Sequence, residues 1–129
     1  MPAGSYILVV DDDADFREAL QIALESRGYN VETAGNGLEG IQKARERLPL
    51  LILLDLRMPV MNGRQMLQHL RELPSTAEVP VLIISAFGFE WEAELMGAQG
   101  YVPKPCDPSE LEGRIHKLLR PRLVHSQPL

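Results

Sequence analysis

Carboxylate, hydroxyl and ammonium side chains recur in this sequence at one kind of position, at or just after the end of a short apolar run. The residues are Asp11, Asp12, Asp55, Ser85 and Lys104. Acidic oxygens are the ligands that hard divalent cations prefer. Hydroxyl and ammonium groups bind the oxygens of a phosphoryl group. Brought together, the set predicts a phosphoryl site that depends on Mg²⁺ or Mn²⁺.

Asp55 is the candidate nucleophile of this site. A carboxylate can attack phosphorus and form an aspartyl phosphate, and such transfer is catalysed mainly by positioning and by neutralising charge. A divalent cation would offset charge on one side and Lys104 on the other, while Ser85 would donate a hydrogen bond to a phosphoryl oxygen. Because adjacent carboxylates repel one another, Asp11, Asp12 and Asp55 predict a cation between them, with a loop carbonyl completing its ligands.

Each residue also has a simpler interpretation. Acidic turns often cap helices, and Asp13 fits that role for the helix that follows it. Ser85 could be an ordinary strand-end hydroxyl, and Lys104-Pro105 has no value as an isolated signal. The ordered combination at four strand ends, rather than any single residue, supports the site.

Short apolar runs and helical stripes alternate along the chain and would position these side chains. Continuous or alternating runs predict strands at 6–10, 30–34, 50–54, 81–84 and 101–102. The helical stripes are Phe16–Leu24, Leu38–Leu48, Met66–Leu73, a short helix at Phe89–Met96, and Leu111–Leu119. The predicted helix ends are Gly28, Pro49, Pro74 and Pro121, and Asp107 is the predicted cap of the last helix.

Strands separated by single helices pair in parallel through right-handed crossovers. We therefore predict an α/β fold, a doubly wound five-stranded parallel sheet of order 2-1-3-4-5 that is flavodoxin-like. The single domain would occupy 1–129, with a core at about 5–120 and a flexible tail at 121–129. Ligands bind at the carboxyl ends of such strands, where the strand order switches. The switch between strands one and three would place Asp11–Asp13 beside Asp55.

Composition narrows the function classes. A net charge of −5 argues against direct nucleic-acid binding, which needs clustered basic residues. The basic stretch at 114–122 fits the C-terminal end of a helix instead. A single cysteine, Cys106, excludes an internal disulfide. No apolar run approaches the ~20 residues of a membrane span, and the N-terminus lacks the features of a secretory signal, so we expect a cytoplasmic protein without membrane contact.

Four segments together resemble the receiver domain of bacterial two-component response regulators. They are Val9–Asp12, Leu53–Pro59 with Gly63, Ile84–Ala86 and Gly100–Pro105. The resemblance covers roughly residues 5–120. It implies a signalling domain with at most slow autodephosphorylation rather than an enzyme.

The resemblance also implies roles for the site residues. A histidine kinase or a histidine phosphotransfer protein would donate the phosphoryl group to Asp55. Asp11 and Asp12 would be the acid pair, with Asp12 the more direct metal ligand, and the backbone carbonyl of Arg57 would also bind Mg²⁺. Lys104 would contact the phosphate.

A conformational switch is implied in the same way. Ser85 would be drawn toward the phosphoryl group and Tyr101 would swing inward, which changes the surface of helix four and strand five. Tyr101 could equally be a half-buried packing residue. A downstream effector, or an output domain missing from the chain, would recognise the changed surface, and a homodimer is left open. A cis peptide bond before Pro105 is implied as well.

The segment between Ser85 and Lys104 departs from the family pattern. It spans 19 positions, about one helical turn fewer than expected, so we predict a shortened or irregular helix four. Phe89 and Trp91 would either fill the space of the missing turn or form an altered partner surface. Cys106 stands where an apolar residue is usual, which predicts a buried, inert thiol.

Two residues affect how long the phosphorylated state should last and whether the protein is a phosphatase. The resemblance implies that Arg57 and Phe87 flank the approach to the phosphoryl group, which predicts a phosphorylated state that lasts minutes or longer. A small aspartate-nucleophile phosphatase, the first alternative, would need an acid where Arg57 stands. The second alternative is a pseudo-receiver that binds partners without phosphorylation, and the complete set of site residues disfavours it.

Overall fold

The computed structural model describes residues 5–86 and 90–125, and strands and helices alternate over these ranges. The strands are β1 (Ile7–Val10), β2 (Val31–Ala34), β3 (Leu51–Leu54), β4 (Val81–Ser85) and β5 (Gly100–Pro103). The helices are α1 (Ala14–Glu25), α2 (Gly37–Glu46), α3 (Gly63–Glu72), α4 (Glu90–Leu95) and α5 (Pro108–His125). All strands pair in parallel in the order β2-β1-β3-β4-β5, which confirms the predicted doubly wound sheet.

The sheet separates two apolar layers, and this explains why its central strands are continuously hydrophobic. Successive side chains of a strand point to opposite faces. Along β1, Leu8 and Val10 pack with the residues of α2 and α3, whereas Ile7 and Val9 pack with those of α1 and α5. Every residue of β1, β3 and β4 is therefore buried.

The register of β1 and β3 brings two acidic residues together. Val10 pairs with Leu54, and the amide N–H of Asp55 donates to the carbonyl of Val10 at 3.0 Å. Asp11 and Asp55 each follow one of these paired residues, so they leave the sheet side by side at its carboxyl edge. Neighbouring strands lie about 4.8 Å apart, which is close enough for the two carboxylates to share one cation.

The register of β4 and β5 brings the lysine to the same edge. Ser85 pairs with Pro103, and the amide N–H of Lys104 donates to the carbonyl of Ser85 at 3.0 Å. The Lys104-Pro105 peptide bond that follows is cis, as the resemblance implies.

The apolar stripe predicted for α2 is wrong at both ends. Leu38 is 47% exposed and Leu48 is 56% exposed, while Gly40 faces the interior. A Cβ at Gly40 would lie 2.8 Å from the methyl group of Met66 and 3.1 Å from Val10. The helix packs here through a residue without a side chain, which the spacing of apolar residues cannot indicate.

The predicted end of α5 at Pro121 is also wrong, because the helix continues to His125. Proline lacks an amide N–H and usually kinks or ends a helix. The residues from Pro121 to His125 nevertheless continue the helix. The tail at 126–129 lies outside the described residues, so its predicted flexibility stays a prediction.

Within the described residues, helix α4 spans the six residues Glu90–Leu95, so the predicted shortening, which involves residues 87–89 as well, stays a prediction. Trp91 is 62% exposed, so its ring does not fill interior space left by a missing turn. Leu95, on the same helix, is 78% exposed. Phe87 and Phe89 lie outside the described residues.

Candidate functional site

Three carboxylates converge at the carboxyl edge of the sheet. Asp11 and Asp55 are buried and Asp12 is exposed, and one oxygen of each lies within 4.8 Å of the others. Asp11 and Asp12 come from the turn between β1 and α1, and Asp55 comes from the end of β3. The topological switch between β1 and β3 thus assembles the acidic group that the sequence predicts there.

Lys104 links the two buried acids. Its Nζ lies 2.6 Å from Oδ2 of Asp11 and 3.4 Å from Oδ2 of Asp55. Burial by itself would lower the pKa of Lys104, but the hydrogen bond and charge of Asp11, together with the charge of Asp55, outweigh it and raise this pKa above its ordinary value. The ammonium therefore stays charged at neutral pH.

The charged form of Asp11 is destabilised by its surroundings. Burial raises the pKa of its carboxyl, and the nearby charge of Asp55 raises it further. Hydrogen bonds from Lys104 and from the amide N–H of Asp13, at 2.9 Å, only partly offset these effects. A buried carboxylate of this kind gains stability from an additional cation.

Asp13, the third acid of the run, caps a helix. Its Oδ1 accepts hydrogen bonds from the amide N–H groups of Asp15 and Phe16, at 3.0 and 3.2 Å. These are orphan donors of the first turn of α1, and a side-chain cap satisfies them. The simpler interpretation given for this residue is therefore borne out by the geometry.

The loop between β3 and α3 is packed tightly against Asp55. A Cβ at Gly63 would collide with the carbonyl oxygen of Asp55 and lie 2.7 Å from Cα of Leu56, so glycine is required there. Asn62 and Gln65 form a capping box that fixes the start of α3. The amide N–H of Arg57 points to Oδ1 of Asp55 across a long 3.4 Å contact, and Arg57 lines the same cleft as the acids.

Ser85 and Tyr101 lie beneath the cleft rather than in its open wall. Ser85 is fully buried and Ala86 lines the cleft in its place. Tyr101 is 9% exposed, and its hydroxyl donates to the carbonyl of Ser85 at 3.1 Å. Tyr101 is thus buried, and its hydroxyl is directed toward the backbone of β4.

Sequence reasoning missed two residues of α1. The ring centroid of Phe16 lies 4.2 Å from Nζ of Lys104. Arg17 donates from Nη1 to the carbonyl of Asp11 at 2.5 Å. Both lie in the first turn after the acidic run, which begins at the carboxyl edge of the sheet, and that position is the signal that could have indicated them.

The chain matches the family model described as the response regulator receiver domain over residues 7–116. The chain belongs to this family. Receiver domains are signalling modules of two-component systems rather than ordinary enzymes, and this agrees with the resemblance carried by the four sequence segments.

Similar curated proteins share the receiver domain. A CpxR homolog from Haemophilus influenzae, a transcriptional regulatory protein, is 41% identical over 90% of this chain and 51% of its own length. The transcriptional regulator RpaA of Synechocystis is 37% identical over 88% of this chain and 48% of its own length. An uncharacterised 14.6 kDa protein of Leptolyngbya boryana is 37% identical over 81% and 82% of the two chains. The receiver chain spans about half the length of the first two relatives.

Solved structures share the fold. The chemotaxis response regulator CheY4 of Vibrio cholerae has a TM-score of 0.83 and 30% identity over 89% of this receiver chain and 98% of its own. A CheY-like receiver domain protein of Methanospirillum hungatei has a TM-score of 0.85 and 27% identity over 94% and 98%. Within residues 5–86 and 90–125, no helix has both the length and the apolar character needed to span a membrane.

Receiver domains bind Mg²⁺ in an acidic pocket, and the residues present here fit such an ion. Asp11, Asp12 and Asp55 offer only oxygen ligands, as Mg²⁺ requires. Their three negative charges exceed the single positive charge of Lys104 by two, which is the charge of the ion. Their oxygen separations suit direct ligation or ligation through the waters that Mg²⁺ retains.

Proposed function

We propose that this receiver domain is a phosphorylation-controlled switch that accepts a phosphoryl group on Asp55. The observation that carries the proposal is that Asp11 and Asp55 share the Lys104 ammonium at the carboxyl edge of the sheet, with Asp12 beside them. Acids and a cation in this arrangement can hold a divalent ion and a phosphoryl group at the same time.

Asp55 is better suited than Asp11 to be the nucleophile. Oδ2 of Asp11 lies 2.6 Å from Lys104, and Oδ1 of Asp11 accepts the amide N–H of Asp13. Both of its oxygens are thus engaged. The two contacts to Asp55 are long, at 3.4 Å each, so its oxygens can reach an incoming phosphorus at little cost.

The transfer itself needs few groups. One carboxylate oxygen of Asp55 attacks the phosphorus, and the bond from phosphorus to the donor atom breaks with its electron pair. A leaving imidazole takes a proton from solvent, whereas a leaving carboxylate needs none. Asp11, Asp12 and the Arg57 carbonyl would hold Mg²⁺, which neutralises phosphoryl charge when bound. Lys104 neutralises charge on the other side.

The donor would be a histidine kinase or a histidine phosphotransfer protein. Phosphorylation adds about −1.5 to −2 of charge at neutral pH. Ser85 and Tyr101, joined at 3.1 Å beneath the site, are the pair that would transmit this change to α4 and β5. A downstream effector or an attached output domain would then bind the altered surface.

Arg57 favours a long-lived phosphorylated state over continuous turnover. Its side chain is exposed and lines the cleft, where a phosphatase would need an acid to protonate the leaving group. A cation there binds the phosphoryl oxygens and supplies no proton. A lifetime of minutes or longer is therefore expected, whereas a lifetime of seconds with Mg²⁺ present would contradict it.

Intact-mass measurement after incubation with acetyl phosphate and Mg²⁺ tests the proposal. We expect the mass of one phosphoryl group to be gained by the wild type and not by Asp55→Asn. Asp13→Asn is the matched control, because asparagine also caps helices well, and it should gain the mass. Steady release of phosphate would favour the phosphatase. No gain of mass in the wild type would favour the pseudo-receiver.

A further inference from the structure

We infer that Phe16 is a positioning residue of this site and acts through the Lys104 ammonium. The inference rests on the proposed function, in which Lys104 binds the transferred phosphoryl group. The ring centroid of Phe16 lies 4.2 Å from Nζ of Lys104. This is within the distance of about 6 Å at which a cation is attracted to the face of an aromatic ring.

Local structure holds the ring in this place. The side chain of Asp13 accepts the amide N–H of Phe16 at 3.2 Å and so fixes the first turn of α1. The ring is partly buried against the apolar layer formed with α1 and α5. It lines a groove with mostly apolar side chains that include Cys106 and Leu111.

Among the described residues, the ammonium of Lys104 contacts two carboxylates and one aromatic ring. Asp11 and Asp55 supply carboxylate oxygens, and Phe16 supplies the negative face of a ring. During phosphoryl transfer, Lys104 would have to exchange a carboxylate oxygen for a phosphoryl oxygen. A hydrogen bond depends strongly on direction, whereas attraction to the ring face does not need one acceptor atom. The contact with Phe16 can therefore persist through the exchange and keep the lysine in the cleft.

A purely structural role would make different predictions. If the ring only filled the groove, leucine or methionine would replace it with a small loss of packing and without a specific effect on Lys104. If the ring positions Lys104, an aromatic replacement should preserve the effect and an aliphatic replacement should abolish it. The decisive comparison is therefore Phe16→Tyr against Phe16→Leu, with Phe16→Met as a second aliphatic variant should the leucine variant fold poorly.

The rate of phosphoryl uptake from acetyl phosphate with Mg²⁺ is the first measurement. We expect Phe16→Leu to slow uptake by about three- to tenfold, which is the rate change that corresponds to losing the free energy of a partly desolvated cation–π contact. Phe16→Tyr should stay within about twofold of the wild type. In a Lys104→Met background, Phe16→Leu should change the rate by less than about twofold, because the partner of the ring is already absent. Equal losses in both backgrounds, or no loss in either, would overturn the inference.

A second measurement does not depend on phosphorylation. The ε-methylene protons of Lys104 next to a ring face should resonate upfield of those of Lys43 and Lys117, and Phe16→Leu should remove this shift. Absence of the shift in the wild type would overturn the positioning role. A wild type that gains no phosphoryl mass would instead overturn the proposed function, and this inference with it.

Discussion

The hydroxyl of Tyr101 donates a 3.1 Å hydrogen bond to the backbone carbonyl of Ser85. The same carbonyl accepts the amide N–H of Lys104 at 3.0 Å. One oxygen atom thus joins the buried aromatic residue of β5 to the backbone of the lysine at the acidic cleft. A change in the position of Ser85 would therefore alter the hydrogen bonds of both Tyr101 and Lys104.

Tyr101→Phe removes one of these two hydrogen bonds and keeps the ring. We expect the free energy of unfolding to fall by about 1 kcal/mol, the usual net value of a buried hydrogen bond. Urea unfolding measures the change. Tyr29→Phe, at a partly buried tyrosine outside this strand pair, is the matched control and should cost less. An equal loss in both variants would contradict a specific role for the bond to Ser85.

Asp12→Asn should weaken Mg²⁺ binding while it stabilises the metal-free protein. Removing one of three clustered negative charges relieves repulsion, but it also removes an oxygen ligand with full charge. We expect the Mg²⁺ dissociation constant to rise by at least about tenfold, by comparison with losses seen when outer partners of metal ligands are removed. Thermal unfolding with Mg²⁺ and with a chelator measures both effects. An unchanged Mg²⁺-induced shift would show that Asp12 does not contribute to the ion site.

Deprotonation of Tyr6 should lower the stability of the folded protein at alkaline pH. Burial of the phenol, together with the charge of Glu32, raises its pKa to about 12, and its hydroxyl donates to the carbonyls of Arg47 at 2.6 Å and Lys43 at 3.2 Å. The folded pKa exceeds the unfolded value, so the stabilisation is complete below pH ~10 and is lost as the pH rises toward 12. Across this window, Tyr6 should account for a decrease of about 2–3 kcal/mol in the free energy of unfolding.

Urea unfolding of the wild type and of Tyr6→Phe at several pH values isolates this contribution. At neutral pH the variant should be less stable by about 1 kcal/mol, because two carbonyls lose their donor. The difference should shrink, and then reverse, as the pH rises above 10. Parallel curves for the two proteins up to the highest pH would show that this phenol does not titrate with folding.

Arg71 joins α3 to the two loops that lead into β4 and β5. Its guanidinium donates to the carbonyls of Gly97 (2.8 and 3.1 Å), Val79 (2.8 Å) and Ala77 (3.2 Å), and to the side chain of Gln99 (3.2 Å). Arg71→Met should lower the free energy of unfolding by about 2–3 kcal/mol, because hydrogen bonds to a charged group are strong. Amide hydrogen exchange should quicken around Gly97. Arg71→Lys should recover little of the loss, since an ammonium cannot reproduce the planar fork, and full recovery would contradict this account.

The strands could be predicted because they depend on local features of the sequence, and the acidic cluster could be predicted because the strand order places the strand ends together. Continuous apolar runs identify buried strands, and alternation with helices makes them parallel. The order 2-1-3-4-5, one of the two common doubly wound orders, then brings Asp11 beside Asp55. The contact between Phe16 and Lys104 depends on the rotation of α1 about its axis, and the spacing of apolar residues fixes that rotation only coarsely. Leu38 was misplaced because a glycine, rather than an apolar side chain, makes the close contact of α2. The helix continues past Pro121 because a proline disfavours the interior of a helix without excluding it.

Gly63 has a consequence for how this chain can vary. Gly63, the first residue of α3, lies so close to the carbonyl of Asp55 that a methyl group on its Cα would collide with that oxygen. A larger residue would have to push β3 and α3 apart, so the carboxylate of Asp55, the proposed phosphoacceptor, would move as well. In a survey of all single substitutions, we expect position 63 to tolerate as little change as position 55, although Gly63 contributes no side chain to the site.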